Sequence, residues 1–155
     1  MILPMTLTMV AASVLLNIWL ARRVGLMRRA HKVSIGDGGA EPLIARMRAQ
    51  ANFIEWAPLF LILLAGIELA RGEPAWLWAV SVLFMIARIL HAFGMDRPPG
   101  NKLRMGGILT AMIVMLGLCV YAIVLVYQGE MERAHPSSRI NYVAASGAPQ
   151  ARAST

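Results

Sequence analysis

Six residues in this chain carry the side chains and the spacing to form one polar site. Arg48, Asn52 and Glu55 sit at i, i+4 and i+7, so a helix would hold all three on one face. Arg88 and His91, at i and i+3, would share a face of a second helix, and Arg104 opens a later apolar run. Glu55 lies about two turns in from Arg48 within a stretch that soon becomes wholly apolar. An unpaired charge there would be costly, so partners are expected, and Arg88 and His91 are the natural ones. Such a cluster has two uses: it fixes the pairing of two helices, or it marks a binding site, as ionisable groups inside a membrane often do.

The elements that must position these residues are membrane spans. The chain has 155 residues, 58% hydrophobic and 15% charged, with a mean hydropathy of +0.61, well outside the soluble globular range. Four apolar segments stand out: Leu3 to Ala21, Asn52 to Ala70, Ala75 to Phe93 and Met105 to Tyr127. Each is close to the roughly 20 residues that a helix needs to cross the hydrocarbon. Continuous apolar runs exclude the alternating pattern of a barrel, so the fold class is all-α, a four-helix integral membrane bundle. The first segment differs from a signal peptide: no Lys or Arg precedes it, its apolar run is too long, and Arg22 and Arg23 follow it. It reads as a retained helix.

The net charge of +7 is mostly a topology signal. Arg22, Arg23, Arg28, Arg29, Lys32, Arg46 and Arg48 flank the first loop, and Arg97, Lys102 and Arg104 the third. The positive-inside rule makes these loops cytoplasmic and leaves both termini outside. Nucleic acid is not an expected partner, because the arginines flank hydrophobic spans and no soluble basic domain carries them. Anionic headgroups of membrane lipids are. Residues 1–128 form the transmembrane domain, and residues 129–155, with too little apolar content to pack, form a flexible polar tail.

Other features point away from chemistry. Cys119 is the single cysteine, placed mid-span with no neighbouring base or cation, and reads as an apolar side chain. The three histidines fall on separate segments without ligand spacing, so no metal is expected. "GDGG" has neither a preceding strand nor a P-loop lysine. Pro58, three residues after Glu55, should kink its helix and free the carbonyl near Ile54. Gly106, Gly107 and Gly117 would permit close helix approach.

"RMRAQANFIEWAP" at 46–58, then "ARILHAFGM" at 87–95, then an arginine opening the last helix, resembles the MAPEG family, membrane-associated proteins in eicosanoid and glutathione metabolism. The loop "VSIGDGGAEPLIARMRAQANFIEWAP" is especially similar to its bacterial branch. The resemblance covers residues 1 to 127 and rests on the core R-A-x-x-N-x-x-E-x-x-P. It implies a homotrimer of four-helix subunits, in a bacterial inner membrane, with glutathione bound as co-substrate between subunits near the cytoplasmic face. It also assigns residues. Arg48, Asn52, Glu55, Arg88 and His91 match glutathione-binding positions, either Arg22 or Arg23 matches a first-helix arginine that reaches the ligand, and Arg104 matches the arginine proposed to stabilise the thiolate. Two positions depart from the pattern. Ala51 stands where some eukaryotic enzymes carry an arginine, and Phe93, Gly94 and Met95 stand where relatives have a tyrosine. The implied activity is a glutathione-dependent transferase or peroxidase acting on a lipophilic substrate from the bilayer. The alternative from another class is a non-enzymatic scaffold, or a small transporter using Glu55 as a proton-linked carboxylate.

Overall fold

The computed structural model describes residues 2–98 and 100–134. Four helices follow one another: α1 (Pro4–His31), α2 (Glu41–Arg71), α3 (Ala75–Met95) and α4 (Lys102–Ala134). Each is long and apolar enough to cross a membrane. Among the described residues, those up to Ala122 form one compact unit, and those from Ile123 belong to a second.

The periodicity of buried residues explains the packing. On α1 the inward stripe is Met5, Met9, Ser13, Leu16, Leu20 and Val24, and on α2 it is Ala49, Phe53, Ala57, Phe60, Leu64 and Ile67. These steps of three and four are one face of a helix. Phe60 of α2 stacks on Phe84 of α3 with ring centroids 4.0 Å apart. Leu15, Ile18, Leu59, Ile62, Ile113 and Leu116 are exposed, so the outer surface is as apolar as the core. A membrane is the solvent that tolerates this.

Two glycines bring α4 against α3. A methyl placed on Gly94 would fall on the Arg104 backbone nitrogen, and one on Gly107 would lie 2.6 Å from the Ala87 carbonyl oxygen and 2.7 Å from the His91 nitrogen. Of the three glycines read as contact residues, only Gly107 is one within the chain. Gly106 and Gly117 face open space, because one residue before Gly107 and ten after it the helix is turned away from α3.

Two other expectations change. The helices of the basic end run past the hydrophobic spans, α1 ten residues beyond Ala21 and α2 from eleven residues before Asn52. Hydropathy marks only the part of a helix that lies in lipid, and arginine-rich turns continue it into the interface. α1 then stops at Lys32, whose left-handed backbone (φ 55°) turns its N–H back to the last carbonyls. α4 continues through Gly129 to Ala134, inside the stretch read as tail. Met131, Glu132, Arg133 and Ala134 are good helix formers, and Glu130 and Arg133 pair at 3.0 Å. Residues 135–155 of that tail lie outside the described residues. Pro58 sits inside α2 without ending it.

The end carrying the α1–α2 loop and the α3–α4 turn holds most of the arginines and is called the basic end below. At the opposite end Glu68, 2% exposed, performs a task that Leu3, the residue before α1, cannot. Its carboxylate accepts hydrogen bonds from the backbone N–H groups of Met5 (3.0 Å) and Thr6 (2.8 Å) and from the Thr6 hydroxyl (2.6 Å). A side chain of α2 thus caps the open N–H groups of α1.

Gly94→Val should destabilise the fold by about 2 kcal/mol or more, since the added atoms meet backbone, whereas Gly106→Ala should change it by less than about 0.5 kcal/mol. Thermal unfolding of the two variants in one detergent checks the contrast.

Candidate functional site

The polar strip of α2 is set by its buried strip. Asn52 precedes the buried Phe53 by one residue, about 100° around the helix, whereas Glu55 follows it by two and points away from the core. Asn52 is therefore half-buried, while Arg48 and Glu55 are exposed. Asn52 Oδ1 accepts a hydrogen bond from the Arg88 guanidinium of α3.

This corrects the expected pairing of Glu55 with Arg88 or His91. Glu55 makes no hydrogen bond or ion pair among the described residues, and Asn52, on the face that meets α3, takes its place. Arg88 is 3% exposed and its Nε has no hydrogen-bond partner, so a buried cation meets one neutral amide. His91, also 3% exposed, points the other way: its Nδ1 lies 3.4 Å from the Arg104 carbonyl, to which it can only donate. One face of α3 thus ties α2 through Arg88 and α4 through His91.

Of the two candidate arginines on α1, Arg22 is exposed and Arg23 turns inward. Arg23 forms an ion pair with Asp96 just past the end of α3, donates to the Ala92 carbonyl at 3.4 Å, and lies over the rings of Trp19 (4.6 Å) and Phe93 (5.8 Å). Arg46 of α2 reaches the other Asp96 oxygen at 3.3 Å and donates to the Arg23 carbonyl at 3.3 Å. Asp96 thereby joins three helices at the basic end. Phe93, in the 93–95 stretch that departs from the family pattern by lacking a tyrosine, packs against Trp19 with centroids 5.3 Å apart.

The Arg104 side chain is exposed and lines a cavity of about 350 Å³ with Glu41, Arg46, Asp96 and Arg97. Asn52, Glu55 and Arg88 do not line it. Within one chain, then, Asn52 and Arg88 are brought together and His91 touches the Arg104 backbone. Arg48 and Glu55 look outward, and the Arg104 guanidinium opens elsewhere.

Two functional carboxylates escaped the sequence reading, and both left a signal. Glu68 is the lone acid within "LILLAGIELA", and Asp96 is the lone acid of the "GMDRPPGN" turn, at the end of the chain that holds most of the arginines. The argument applied to Glu55, that an isolated charge in an apolar run needs partners, holds for Glu68 with more force.

Four membrane-spanning helices with an interhelical Asn–Arg bond and an arginine-rich end define a small integral membrane protein with a polar site at one end of the bundle. The chain belongs to the MAPEG family, whose family model matches residues 6–124. That family includes glutathione transferases and peroxidases. The chain is also similar to the inner membrane protein YecN of Escherichia coli strain K12, 26% identical over 68 residues, or 44% of this chain and 52% of the relative. The same match is found in E. coli O6:H1. The chain thus spans about half the length of these relatives.

Asn52→Ala should cost about 2 to 4 kcal/mol, because it strands the buried Arg88 guanidinium, whereas Glu55→Ala should leave the stability of the single subunit within about 0.5 kcal/mol. Chemical unfolding of both variants in nanodiscs separates the two; equal losses would put Glu55 back in the pair.

Proposed function

We propose that this protein is a membrane-bound glutathione-dependent transferase or peroxidase acting on lipophilic electrophiles or lipid hydroperoxides. The observation that carries the reading is the Arg88 guanidinium, buried between helices with a neutral partner and a free Nε. A buried cation without a carboxylate is suited to an anionic ligand, and glutathione brings two carboxylates and a thiol that can ionise. Arg48 and Glu55 sit on the adjoining outward strip without partners among the described residues, one suited to a carboxylate and the other to the ammonium group of the peptide.

The site is completed, in this reading, by a neighbouring subunit of a homotrimer, which would bring an Arg104 guanidinium to the strip of the next chain. The basic end faces the cytoplasm, where glutathione is available, and both termini lie on the other side, as the basic loops favour. The membrane is the bacterial inner membrane, in keeping with the name of the YecN relative.

A free thiol has a pKa of roughly 8.5, so little thiolate is present at neutral pH. A fixed guanidinium in a partly dry site favours the anion, and this is the role of Arg104. With an aryl halide, the thiolate sulfur forms a bond to carbon, the halide leaves with its electron pair, and the thiol proton passes to solvent. With a lipid hydroperoxide, two glutathiones are oxidised to the disulfide while the hydroperoxide becomes an alcohol and water. The transporter reading has less support, because Glu55, the carboxylate that it needs, lies on the outward face of α2.

Arg104→Lys keeps the charge but loses the planar fork. It should bind glutathione about as well as wild type and turn over an aryl halide about tenfold more slowly or worse, a loss of around 1.4 kcal/mol in transition-state stabilisation. Conjugation rates and the ultraviolet absorbance of bound thiolate across pH test this. Wild-type protein that binds glutathione without forming thiolate at neutral pH would remove the role, and equal rates would make Arg104 an interfacial anchor. Native mass spectrometry in mild detergent should show trimers; monomers alone would leave the site without its second subunit.

A further inference from the structure

The charges at the basic end do not cancel. Arg46, Arg97 and Arg104 line the 350 Å³ cavity between the start of α2, the α3–α4 turn and the first turn of α4, together with the carboxylates of Glu41 and Asp96. Asp96 is already shared by Arg46 and by Arg23, which lies outside the cavity wall. Glu41 stands in the first turn of α2, where its charge is favoured by the helix N-terminus. The guanidiniums of Arg97 and Arg104 have no hydrogen bond or ion pair among the described residues. Two free forks therefore open on one cavity, beside a third arginine held in place by Asp96.

The rest of the wall is Pro42, Ala45, Met95 and Pro98. An occupant with a compact anion at one end and carbon at the other suits such a lining. Planar guanidinium forks match the oxygens of a phosphate ester, which two or three arginines can hold at once. The cavity lies at the end of helices that cross a bilayer, at the level where lipid phosphates are found.

The geometry points to a phosphate-ester site formed by Arg46, Arg97 and Arg104, occupied by the headgroup of an anionic glycerophospholipid. This site lies within one chain; it shares Arg104 with the glutathione reading, so its test is placed on Arg97, which that reading does not use. It differs from the general attraction of basic loops to a negative leaflet in being local: a particular arginine governs it, and other exposed arginines of the same end do not.

The test is native mass spectrometry of delipidated protein in detergent, with phosphatidylglycerol and phosphatidylcholine added at equal concentration. Phosphatidylglycerol adducts should exceed phosphatidylcholine adducts by about tenfold, the worth of one charge-assisted contact. Arg97→Gln should reduce the excess to within about twofold, while Arg29→Gln, on the exposed last turn of α1, should leave it unchanged. Thermal unfolding of Arg97→Gln should match wild type, since the residue is exposed. No preference in the wild type, or equal losses in the two variants, would overturn the site in favour of diffuse attraction. Glycerol 1-phosphate or inorganic phosphate at millimolar concentration should compete poorly. If either displaced the lipid completely, the site would belong to a soluble phosphate and the lipid assignment would fall.

Discussion

A polar group inside a bilayer has no water to turn to, and the buried polar side chains of this bundle are placed under that constraint. Its clearest expression is the carboxylate of Glu68. The first turn of α1 has N–H groups that Leu3, the residue before it, does not cap, since its side chain has no acceptor. Glu68 reaches across from α2 and takes two of them together with the Thr6 hydroxyl. Hydrogen bonds to a charged group contribute about 1.5 to 3 kcal/mol each. The same contact satisfies a buried charge, ends α1 at a defined residue and sets the register of α1 against α2. The basic end inherits that register, because both helices are rigid rods whose far ends are fixed once the near ends are docked.

At the basic end the constraint is met by different means. Arg23 is stacked on two aromatic rings and paired with Asp96, which also receives Arg46. Among the described residues Arg88 is answered only by Asn52 and keeps an unpaired Nε. Arg23 therefore belongs to the scaffold, and its charge is spent within the chain. Arg88 retains an unmet demand for an acceptor, and this separates a residue that holds the fold from one that supports the proposed ligand site.

Much of this was legible in the sequence, for reasons that differ from element to element. The four spans were readable because hydrocarbon admits only long apolar runs. Their ends were not, since an arginine-bearing turn of α1 or α2 costs nothing in the interface and hydropathy falls silent there. The strip of Arg48, Asn52 and Glu55 was readable from spacing. Its orientation needed the neighbouring strip of Ala49, Phe53 and Ala57, because only the buried face decides which polar residue meets α3. Gly94 and Gly107 illustrate a further limit. Glycine is frequent in membrane helices, and only the approach of the Arg104, Ala87 and His91 backbone distinguishes these two from Gly106 and Gly117.

The close approach at Gly94 also bears on Arg104. Its backbone nitrogen is seated against Gly94 and its carbonyl faces His91, so the main chain at this residue is fixed by α3 on two sides. The guanidinium at the end of that fixed main chain is exposed and has no hydrogen bond or ion pair among the described residues. A residue that served only to anchor the helix at the interface would need neither contact, because a charge in the headgroup layer can act from any rotamer. Backbone held rigidly beneath a free guanidinium is instead what an anion site requires, because it limits where the fork can reach and so lowers the conformational entropy lost on binding. The same reasoning applies to Arg46, which Asp96 and the Arg23 carbonyl hold in place. Arg97 is the least constrained of the three arginines of the cavity.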